Sequence, residues 1–412
     1  MSRLLEGARP DGRALDRQAH LAVHGALPAP ARGEARTWQR ALEGAGLRGR
    51  GGAGFPVARK LAVAHEAGGR GVVVVNATEG EPASLKDQTL VGLVPHLVLD
   101  GAKLAARSVR AREVVVAVHE GSPLPGVLAA ALAERPDDAV RTRVLTVPAR
   151  YLSGEASALA SAAAGGPGRP LLRDVPLAVR GPSGRPTVVL NAESVADLAL
   201  YLLHGPSRYG DQGTAEEPGT VLVTVRSAAT GATVLEVPLG TPVGEALGTA
   251  GVDLGQVQAV LLGGYFGRWL AAPAALDVPL SHAGARAAGG VLGAGLVMAL
   301  GQAECGLRAT AQAVRYLAGE SAQQCGPCTN GLPAIATALE RAVGGFAEPE
   351  TLEQLRRWCG LVAGRGLCSL PDGVSALVAS ALTVFGDDLA AHAGHGCGRP
   401  AGPALAVPGC LG

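Results

Sequence analysis

The stretch GLRGRGGAGFPVARK, residues Gly46–Lys60, is the segment from which the fold of this chain is best inferred. Its glycines let the backbone turn with positive φ and come close to a ligand. Arg48, Arg50 and Lys60 add positive charge, and Phe55 offers a flat face for a ring. Backbone N–H groups in such a loop, ahead of a helix, form an anion site that suits phosphate. The stretch therefore predicts a loop that binds a nucleotide or a flavin.

The same stretch contains the pattern G-x-G-x-x-G of dinucleotide-binding folds, which must follow a strand and open a helix. Here TWQRALEGAG, residues Thr37–Gly46, comes first, and its apolar spacing predicts a helix. The first clear strand, GVVVVN at Gly71–Asn76, comes only afterwards. This order of elements disfavours a dinucleotide fingerprint, and a structural glycine turn stays the alternative to a flavin loop.

The few lysines and asparagines of the chain are candidates for site residues. Of its 36 lysines and arginines only three are lysines, and only three residues are asparagines. Lys60 lies in the glycine stretch, Asn76 and Lys86 lie in and just after the first strand, and Asn191 follows another apolar run. The alternative explanation is conformational, because asparagine is common in turns whatever their function. The grouping of rare polar residues near glycine loops and strand ends favours a functional site.

Composition limits the classes of function. A net charge of +1 and an aromatic content of 3% give no support for nucleic-acid binding. The longest apolar run, Gly289–Gly301, is too short to span a bilayer, and the N-terminus lacks the apolar core of a signal peptide. Seven cysteines, an odd number, are typical of a reduced, cytoplasmic protein with metal-binding or free thiols.

Short, β-branched apolar runs predict buried parallel strands that alternate with helices. The runs are Val72–Val75, Val114–Val118, Val144–Val147 and Val188–Leu190. Pro95 opens the stretch PHLVLDGAKLAARSV, which predicts a helix with proline at its start. Residues 37–205 are therefore expected to form an α/β domain.

The rest of the chain predicts two further modules and two loose ends. After a polar segment at 205–219, the pattern strand, strand, helix, strand indicates a β-grasp module at 217–300. Helical spacing alone marks 304–391 and predicts a small bundle. Residues 1–36 are expected to be a loose lead and residues 392–412 a disordered tail.

Three cysteines are candidate ligands of one metal or cluster. Cys325 and Cys328 form CGPC in a break between two predicted helices, and Cys368 lies at another helix connection. Thiolates on such loops can converge on one centre. A thioredoxin-type motif is not expected, because no βαβ pattern surrounds CGPC. An iron–sulfur cluster is favoured, and zinc or no metal stay open.

The other thiols give weaker signals. Cys359, nine residues before Cys368 and in a predicted helix, stays open as a fourth ligand. Cys305 lies about 15 helical residues, or about 20 Å, before the CGPC loop and is expected to be a core or capping residue. Cys397, with His392 and His395, is expected to belong to a solvated tail.

Six segments between Leu42 and Leu389 together resemble the NADH-oxidising flavoprotein subunit of respiratory complex I, the NuoF type. The resemblance extends to related subunits of bidirectional hydrogenases and formate dehydrogenases. GLRGRGGAGFP resembles the FMN loop of that family, and the other five occur in the family's order. These are NATEGEPASLKD, PHLVLDGA, YLSGEASAL, GRPTVVLNAES and GESAQQCGPCTNGLP. By these motifs the chain is identified as a member of the family.

The resemblance implies a Rossmann-like FMN- and NADH-binding domain at 37–205, a soluble-ligand-binding β-grasp domain and a bundle holding a 4Fe–4S cluster. It also implies hydride transfer from NADH to FMN, then single-electron transfer to the cluster and to a ferredoxin-like or subunit acceptor. The residues it places against FMN are Gly49, Arg50, Gly51, Lys60, Asn76, Tyr151, Gly154, Glu155, Asn191 and Ser194.

The resemblance assigns further residues to the substrate and to the cluster. Glu79 and Glu81 would be catalytic residues lining the NADH side, and Phe55 would stack near the nicotinamide or adenine. Cys325, Cys328 and Cys368 would bind the cluster. The implied partners are a pyridine nucleotide and a ferredoxin or another iron–sulfur subunit. The implied location is cytoplasmic or peripheral to a membrane complex, with no direct membrane insertion.

Departures from the family pattern motivate a second hypothesis. Ala322 replaces the first cluster cysteine, which leaves three thiolate ligands. Ala156 replaces the second glutamate of the family's G-E-E, and Leu190 replaces the first of two paired asparagines. The alternative is therefore a non-catalytic scaffold or binding homologue that keeps the fold and lacks NADH oxidation.

Overall fold

The computed structural model describes residues 3–28, 34–136, 138, 140–172, 174–393 and 396–408, with residues 34–37 and 39 described by their backbone alone. The chain divides into two compact units. The first comprises 1–80, 85–222 and 236–240, and the second comprises 81–84, 223–235 and 241–412. These units are coarser than the domains expected from the sequence, whose boundaries stay predictions.

The core of the first unit is a parallel sheet of four strands in the order β3-β2-β1-β4. The strands are β1 (Val72–Ala77), β2 (Glu113–His119), β3 (Arg141–Val147) and β4 (Thr187–Asn191). The valines at the centres of β1 and β2 are fully buried. All four apolar runs that predict strands are therefore confirmed as strands.

Helices connect and cover these strands. They are α1 (Arg17–His24), α2 (Glu34–Gly44), α3 (Val57–Glu66), α4 (Lys86–Leu93), α5 (Pro95–Ser108), α6 (Leu124–Ala133), α7 (Ala156–Ala163) and α8 (Ala192–Gly210). Helix α5 begins at Pro95, as expected. A Cβ atom at Gly101 of α5 would lie 1.7 Å from the Val195 carbonyl oxygen of α8. The absence of a side chain at Gly101 thus permits the close approach of these two helices.

The expectation of a loose lead is wrong for the described residues 3–28. Leu4 and Leu15 are buried, and Asp16 caps helix α1 by accepting the N–H of Ala19. His20 is fully buried and its Nε2 lies 2.9 Å from Oδ2 of Asp100 on α5. The lead is ordered because it buries apolar and imidazole side chains against α5, a long-range contact that composition does not reveal.

Most of a mixed sheet in the order β6-β5-β9-β7-β8 belongs to the second unit. Its strands are β5 (Thr220–Ser227), β6 (Gly231–Pro238), β7 (Val257–Leu262), β8 (Arg268–Ala271) and β9 (Leu296–Gly301). Strand β9 runs parallel to β5 and antiparallel to β7. Helices α9 (Val243–Thr249) and α10 (His282–Ala287) lie between strands in the chain. The predicted order of strand, strand, helix, strand is confirmed.

The bundle of the second unit follows the sheet. Its helices are α11 (Gly306–Gly319), α12 (Leu332–Val343), α13 (Pro349–Val362), α14 (Leu370–Val384) and α15 (Gly386–His392). Helices α14 and α15 are bent by 83° relative to each other, so the last predicted helical stretch forms two helices. Trp269 donates its Nε1–H to Thr310 of α11 at 2.9 Å, which joins strand β8 to the bundle.

Within the described part of the chain, no individual helix combines the length and the apolar composition needed to cross a membrane. Two sharply bent pairs, α4 with α5 and α14 with α15, reach that length and composition only when each pair is taken together.

The expectation of a disordered tail is wrong for the described residues 396–408. Leu405 and Val407 are buried, and the Leu405 carbonyl accepts the hydroxyl of Tyr265. The Pro400 carbonyl accepts the backbone N–H of Cys305 at 2.6 Å. Glycine and proline lower the helix content of this segment, but its few apolar residues still pack against the bundle.

Candidate functional site

The switch point of the parallel sheet is the candidate ligand site. The chain passes from β1 to β2 and β3 on one side and returns to β4 on the other. In open α/β sheets ligands bind at the carboxyl ends of the strands where this reversal occurs. Asn76 of β1 and Asn191 of β4 are direct register partners at that edge. Two of the three asparagines of the chain therefore flank the switch point.

The glycine stretch lies over this edge. A Cβ atom at Gly51 would lie 3.3 Å from the Cβ of Asn191, and one at Gly49 would lie 4.0 Å from Oγ of Ser194. The loop is closed by the Gly49 N–H, which donates to the Phe55 carbonyl at 2.9 Å. It follows α2 and opens α3. This order agrees with the sequence argument against a dinucleotide fingerprint.

Arg50 anchors the glycine stretch through its backbone and its side chain. Its backbone N–H donates to Oγ of Ser194 at 2.8 Å, and its Nε donates to Oδ2 of Asp197 at 3.0 Å. Its Nη2 donates to the Thr220 carbonyl at 3.0 Å. The guanidinium is buried and directed into the first unit. The structure therefore gives this side chain a role in holding the loop, and direct contact with a flavin phosphate stays a prediction.

Lys60 and Phe55 bring a cation and an exposed ring together. The Nζ of Lys60 donates to the Val189 carbonyl of β4 at 3.0 Å. Burial lowers the pKa of Lys60 below its usual value. The Phe55 ring is 42% exposed, with Nζ of Lys60 and Cζ of Arg59 each 5.9 Å from its centroid. The arrangement offers both an anion partner and a stacking face.

The segment YLSGE reaches the end of β1. Tyr151–Gly154 forms a 3-10 turn, and the Gly154 carbonyl accepts Nδ2–H of Asn76 at 2.9 Å. The Asn76 Oδ1 accepts both the backbone N–H and the hydroxyl of Thr78, at 3.1 and 2.8 Å. A Cβ atom at Gly80 would lie 2.5 Å from the Tyr151 carbonyl oxygen. The structure thus brings Gly154 to Asn76 and Tyr151 to Gly80, just after the end of β1.

The three glutamates of the predicted site accept backbone N–H groups. Glu155 caps α7 through the N–H groups of Ser157 and Ala158, and Glu79 accepts those of Asp87 and Gln88 at the start of α4. Glu81 belongs to the second unit, where its Oε2 accepts the Tyr265 N–H at 2.9 Å. Their roles toward FMN or NADH stay predictions.

Lys86 forms a buried ionic network that the sequence identified only through the rarity of lysine. Its Nζ lies 2.7 Å from Oδ1 of Asp87, 2.9 Å from Oε2 of Glu193 and 3.2 Å from Oδ1 of Asn191. Burial alone would lower the pKa of Lys86, but the two carboxylates raise it above its usual value. Asn191 also donates Nδ2–H to Asp87 at 2.6 Å. The network fixes the orientation of the Asn191 side chain.

Two of the three thiols predicted to bind a cluster, Cys325 and Cys328, meet at the turn before α12. The Sγ atoms of Cys325 and Cys328 lie 3.3 Å apart. Burial raises the pKa of Cys328 to about 11, with further contributions from the thiols of Cys325 and Cys368. Ala322, which stands where the family has a cysteine, is half-buried and supplies no ligand.

A second thiol group was not foreseen. Sγ of Cys305, one ring nitrogen of His392 and Sγ of Cys397 all lie within 4.8 Å of one another. The expected capping role of Cys305 is confirmed, because its sulfur accepts the Arg308 N–H at the start of α11. The expectation of a solvated tail for His392 and Cys397 is wrong, and His395 lies outside the described residues. No sequence spacing signals this group, because 87 residues separate Cys305 from His392.

Two family models match the chain. The model of the Nuo51 FMN-binding domain matches residues 42–200. The model of the NADH-ubiquinone oxidoreductase-F iron–sulfur binding region matches residues 308–392. The first contains the glycine loop and the switch point, and the second contains all three predicted cluster cysteines.

Known proteins and solved structures are similar over most of the chain. The F subunit of NADH-quinone oxidoreductase from Mycobacterium tuberculosis (strain ATCC 25618 / H37Rv) is 32% identical, and the match covers 86% of this chain and 84% of that protein. The corresponding protein of Escherichia coli (strain K12) is 29% identical, with 85% and 83% covered. The crystal structure of an NAD+-reducing [NiFe]-hydrogenase in the H2-reduced state superposes with a TM-score of 0.82 at 28% identity, covering 95% of this chain and 67% of that chain.

Proposed function

Because this chain belongs to the family of NADH-quinone oxidoreductase F subunits, we propose that it oxidises NADH at an FMN held over the switch point. The electrons then pass to a 4Fe–4S cluster held by Cys325, Cys328 and Cys368. The observation that carries this proposal is the pairing of Asn76 with Asn191 beneath the glycine loop.

The residues at the switch point fit a flavin mononucleotide. A side chain at Gly51 would crowd Asn191, so the bare backbone leaves room for a ligand to approach that edge. Lys60 supplies a cation beside the exposed Phe55 ring. Asn76 and Asn191 carry amides that suit the ring carbonyls and nitrogens of a flavin. When bound, FMN accepts a hydride from NADH and releases its electrons one at a time.

The protein residues position the flavin and set its surroundings. Arg50, Ser194 and Asp197 hold the loop from inside, and Lys86 fixes Asn191 through its contacts with Asp87 and Glu193. Both cations contact buried carboxylates, so the positive charges of Arg50 and Lys86 are compensated inside the protein. Glu79 and Glu81 are proposed to line the nicotinamide side.

The donor set of the bundle fits three of four ligands of an iron–sulfur cluster. Cys325, Cys328 and Cys368 supply soft thiolates, and the neighbouring Gln323 and Gln324 are exposed amides. A cluster with one iron open to another ligand has an altered potential and lower retention than a four-thiolate cluster.

The partners of this chain are other subunits of an electron-transfer complex. We infer that the immediate acceptor is a ferredoxin-like or another iron–sulfur protein, since electrons leaving one cluster pass most simply to a second. This arrangement suits a cytoplasmic protein at the periphery of a larger complex.

The test is the anaerobic absorption spectrum of reconstituted protein before and after NADH addition. We expect flavin and iron to be retained and NADH to bleach the flavin band. Uptake of neither cofactor would refute the proposal. Retention of both without bleaching by NADH would favour a scaffold or a different electron donor.

A variant pair tests the switch point directly. Asn191→Ala should weaken FMN binding about tenfold or more, because a flavin hydrogen bond of about 1–1.5 kcal/mol is lost together with the contacts of Asn191 to Lys86 and Asp87 that order this edge. Asn330→Ala, at an exposed asparagine of the second unit, is the matched control. FMN affinity is measured by flavin fluorescence titration. Equal affinities of both variants would contradict the assignment of Asn191.

A further inference from the structure

The group formed by Cys305, His392 and Cys397 has the chemistry of a metal site. Two thiols and an imidazole are soft and borderline ligands that select zinc over calcium or magnesium. Sγ of Cys305 lies 3.3 Å from Nε2 of His392. Around a tetrahedral zinc with bonds of about 2.3 Å to sulfur and about 2.0 Å to nitrogen, these atoms would lie ~3.6 Å apart. The described positions need only small shifts to reach this geometry.

The imidazole of His392 is oriented for ligation. Its Nδ1 lies 2.9 Å from the Val343 carbonyl, which can only accept a hydrogen bond. Nδ1 therefore carries the proton, and Nε2 directs its lone pair toward Cys305. Histidine ligands of zinc show this arrangement, in which the second ring nitrogen donates to a carbonyl or carboxylate.

The group is built into the protein interior. Cys305 and His392 have no exposed surface, and Cys397 is partly exposed. Cys305 lies at the start of α11, His392 ends α15, and Cys397 follows in the C-terminal segment. The ligands thus come from three places that a metal would join.

This group is separate from the thiols of the cluster. Helix α11 lies between Cys305 and the CGPC turn, and its 14 residues span about 21 Å. One cluster cannot reach both sets of thiols.

We propose that Cys305, His392 and Cys397 bind one structural zinc ion, with a water at the fourth position. The ion fastens the C-terminal segment to the start of α11. That segment already lies there, since the Pro400 carbonyl accepts the N–H of Cys305 and the Leu405 carbonyl accepts the Tyr265 hydroxyl. The ion would add to the burial of Leu405 and Val407 in holding residues 396–408 in place.

The test measures zinc and iron by mass spectrometry in full-length protein purified anaerobically from zinc-supplemented cells. We expect about one zinc per chain in addition to the cluster iron. Cys397→Ser should lose most of the zinc and keep its iron. Cys328→Ser should lose its iron and keep the zinc. Cys359→Ser, at a thiol outside both groups, should keep both metals.

X-ray absorption spectroscopy at the zinc edge, on the unmodified protein, gives a second test that does not depend on whether the variants fold. We expect about two sulfur ligands at ~2.3 Å and two nitrogen or oxygen ligands at ~2.0 Å. Absence of zinc, a shell of four sulfurs, or a shell without sulfur would overturn the proposal. So would loss of zinc in Cys328→Ser with retention in Cys397→Ser. Failure of iron or flavin binding with zinc retained would overturn the proposed function and leave the zinc site standing.

Discussion

Replacement of Lys86 by methionine tests whether its ionic network holds the switch-point edge together. The Lys86 side chain is 2% exposed, and its partners Glu193 and Asp87 are 0% and 6% exposed. Methionine fills similar space without a charge, so buried Asp87 loses its cation and Glu193 keeps only Arg50, at 3.7 Å. Breaking a buried ion pair in this way costs about 3–5 kcal/mol.

The assay is hydrogen exchange of backbone amides, read by mass spectrometry on peptides from β1 and β4. Each 1.4 kcal/mol changes the opening equilibrium about tenfold, so exchange should accelerate by about a hundredfold to a few thousandfold. Peptides from β7 and β9 in the second unit serve as internal controls and should exchange as before. The double variant Lys86→Met/Glu193→Gln should exchange more slowly in β1 and β4 than Lys86→Met does, because the buried charge of Glu193 is also removed.

Lys103→Met is the matched control variant. Lys103 pairs with Asp138 at 2.5 Å, but its side chain is 18% exposed and Arg135 also contacts that carboxylate. Loss of a partly exposed pair costs about 1 kcal/mol or less. If Lys86→Met accelerates exchange in β1 and β4 no more than Lys103→Met does, the network does not stabilise the edge and the reasoning is refuted.

Two further predictions concern packing and pH. Gly101→Ala should destabilise the first unit by about 3 kcal/mol or more, because its methyl group would overlap the Val195 carbonyl. Gly92→Ala has open space around it and should be neutral or slightly stabilising. Both variants are compared by thermal unfolding, and equal melting temperatures would contradict the prediction for Gly101. Burial, aided by neighbouring histidines, lowers the pKa of His24 to about 4. Because its unfolded value is about 6.5, the unfolded state binds more protons between these values, so stability should fall as the pH drops through about 6.5 to 4. His24→Gln should flatten that dependence in thermal unfolding curves, and an unchanged slope would count against it.

The elements of the first unit could be predicted because they depend on local patterns. Runs of valine in β1 and β2 are long enough to fix strand positions, and Pro95 marks the start of α5. The place of the glycine stretch before the first strand disfavours a dinucleotide fingerprint, and the observed order α2, loop, α3, β1 agrees with that. The rarity of asparagine singles out Asn76 and Asn191, and the register of the sheet pairs them.

The orientation of polar side chains could not be predicted in this way. Arg50 is turned inward because Asp197 and the Thr220 carbonyl lie beneath it. Glu79 and Glu155 cap helices, a use that depends on where those helices begin. Sequence spacing gives the residue type at a position, whereas burial and partners decide which way the side chain points.

Local sequence is enough to specify the strands, the bundle helices, the glycine loop and the candidate cluster cysteines, because backbone periodicity and turn chemistry act over a few residues. Tertiary structure decides how residues 3–28 and 396–408 pack. It also decides that Cys305 meets His392 and Cys397. Cys305, His392 and Cys397 lie up to 92 positions apart in the chain, and the contact of Tyr265 with Leu405 spans 140 positions, so no local pattern encodes these contacts. They form because packing of the bundle brings α11, α15 and the following segment to one place.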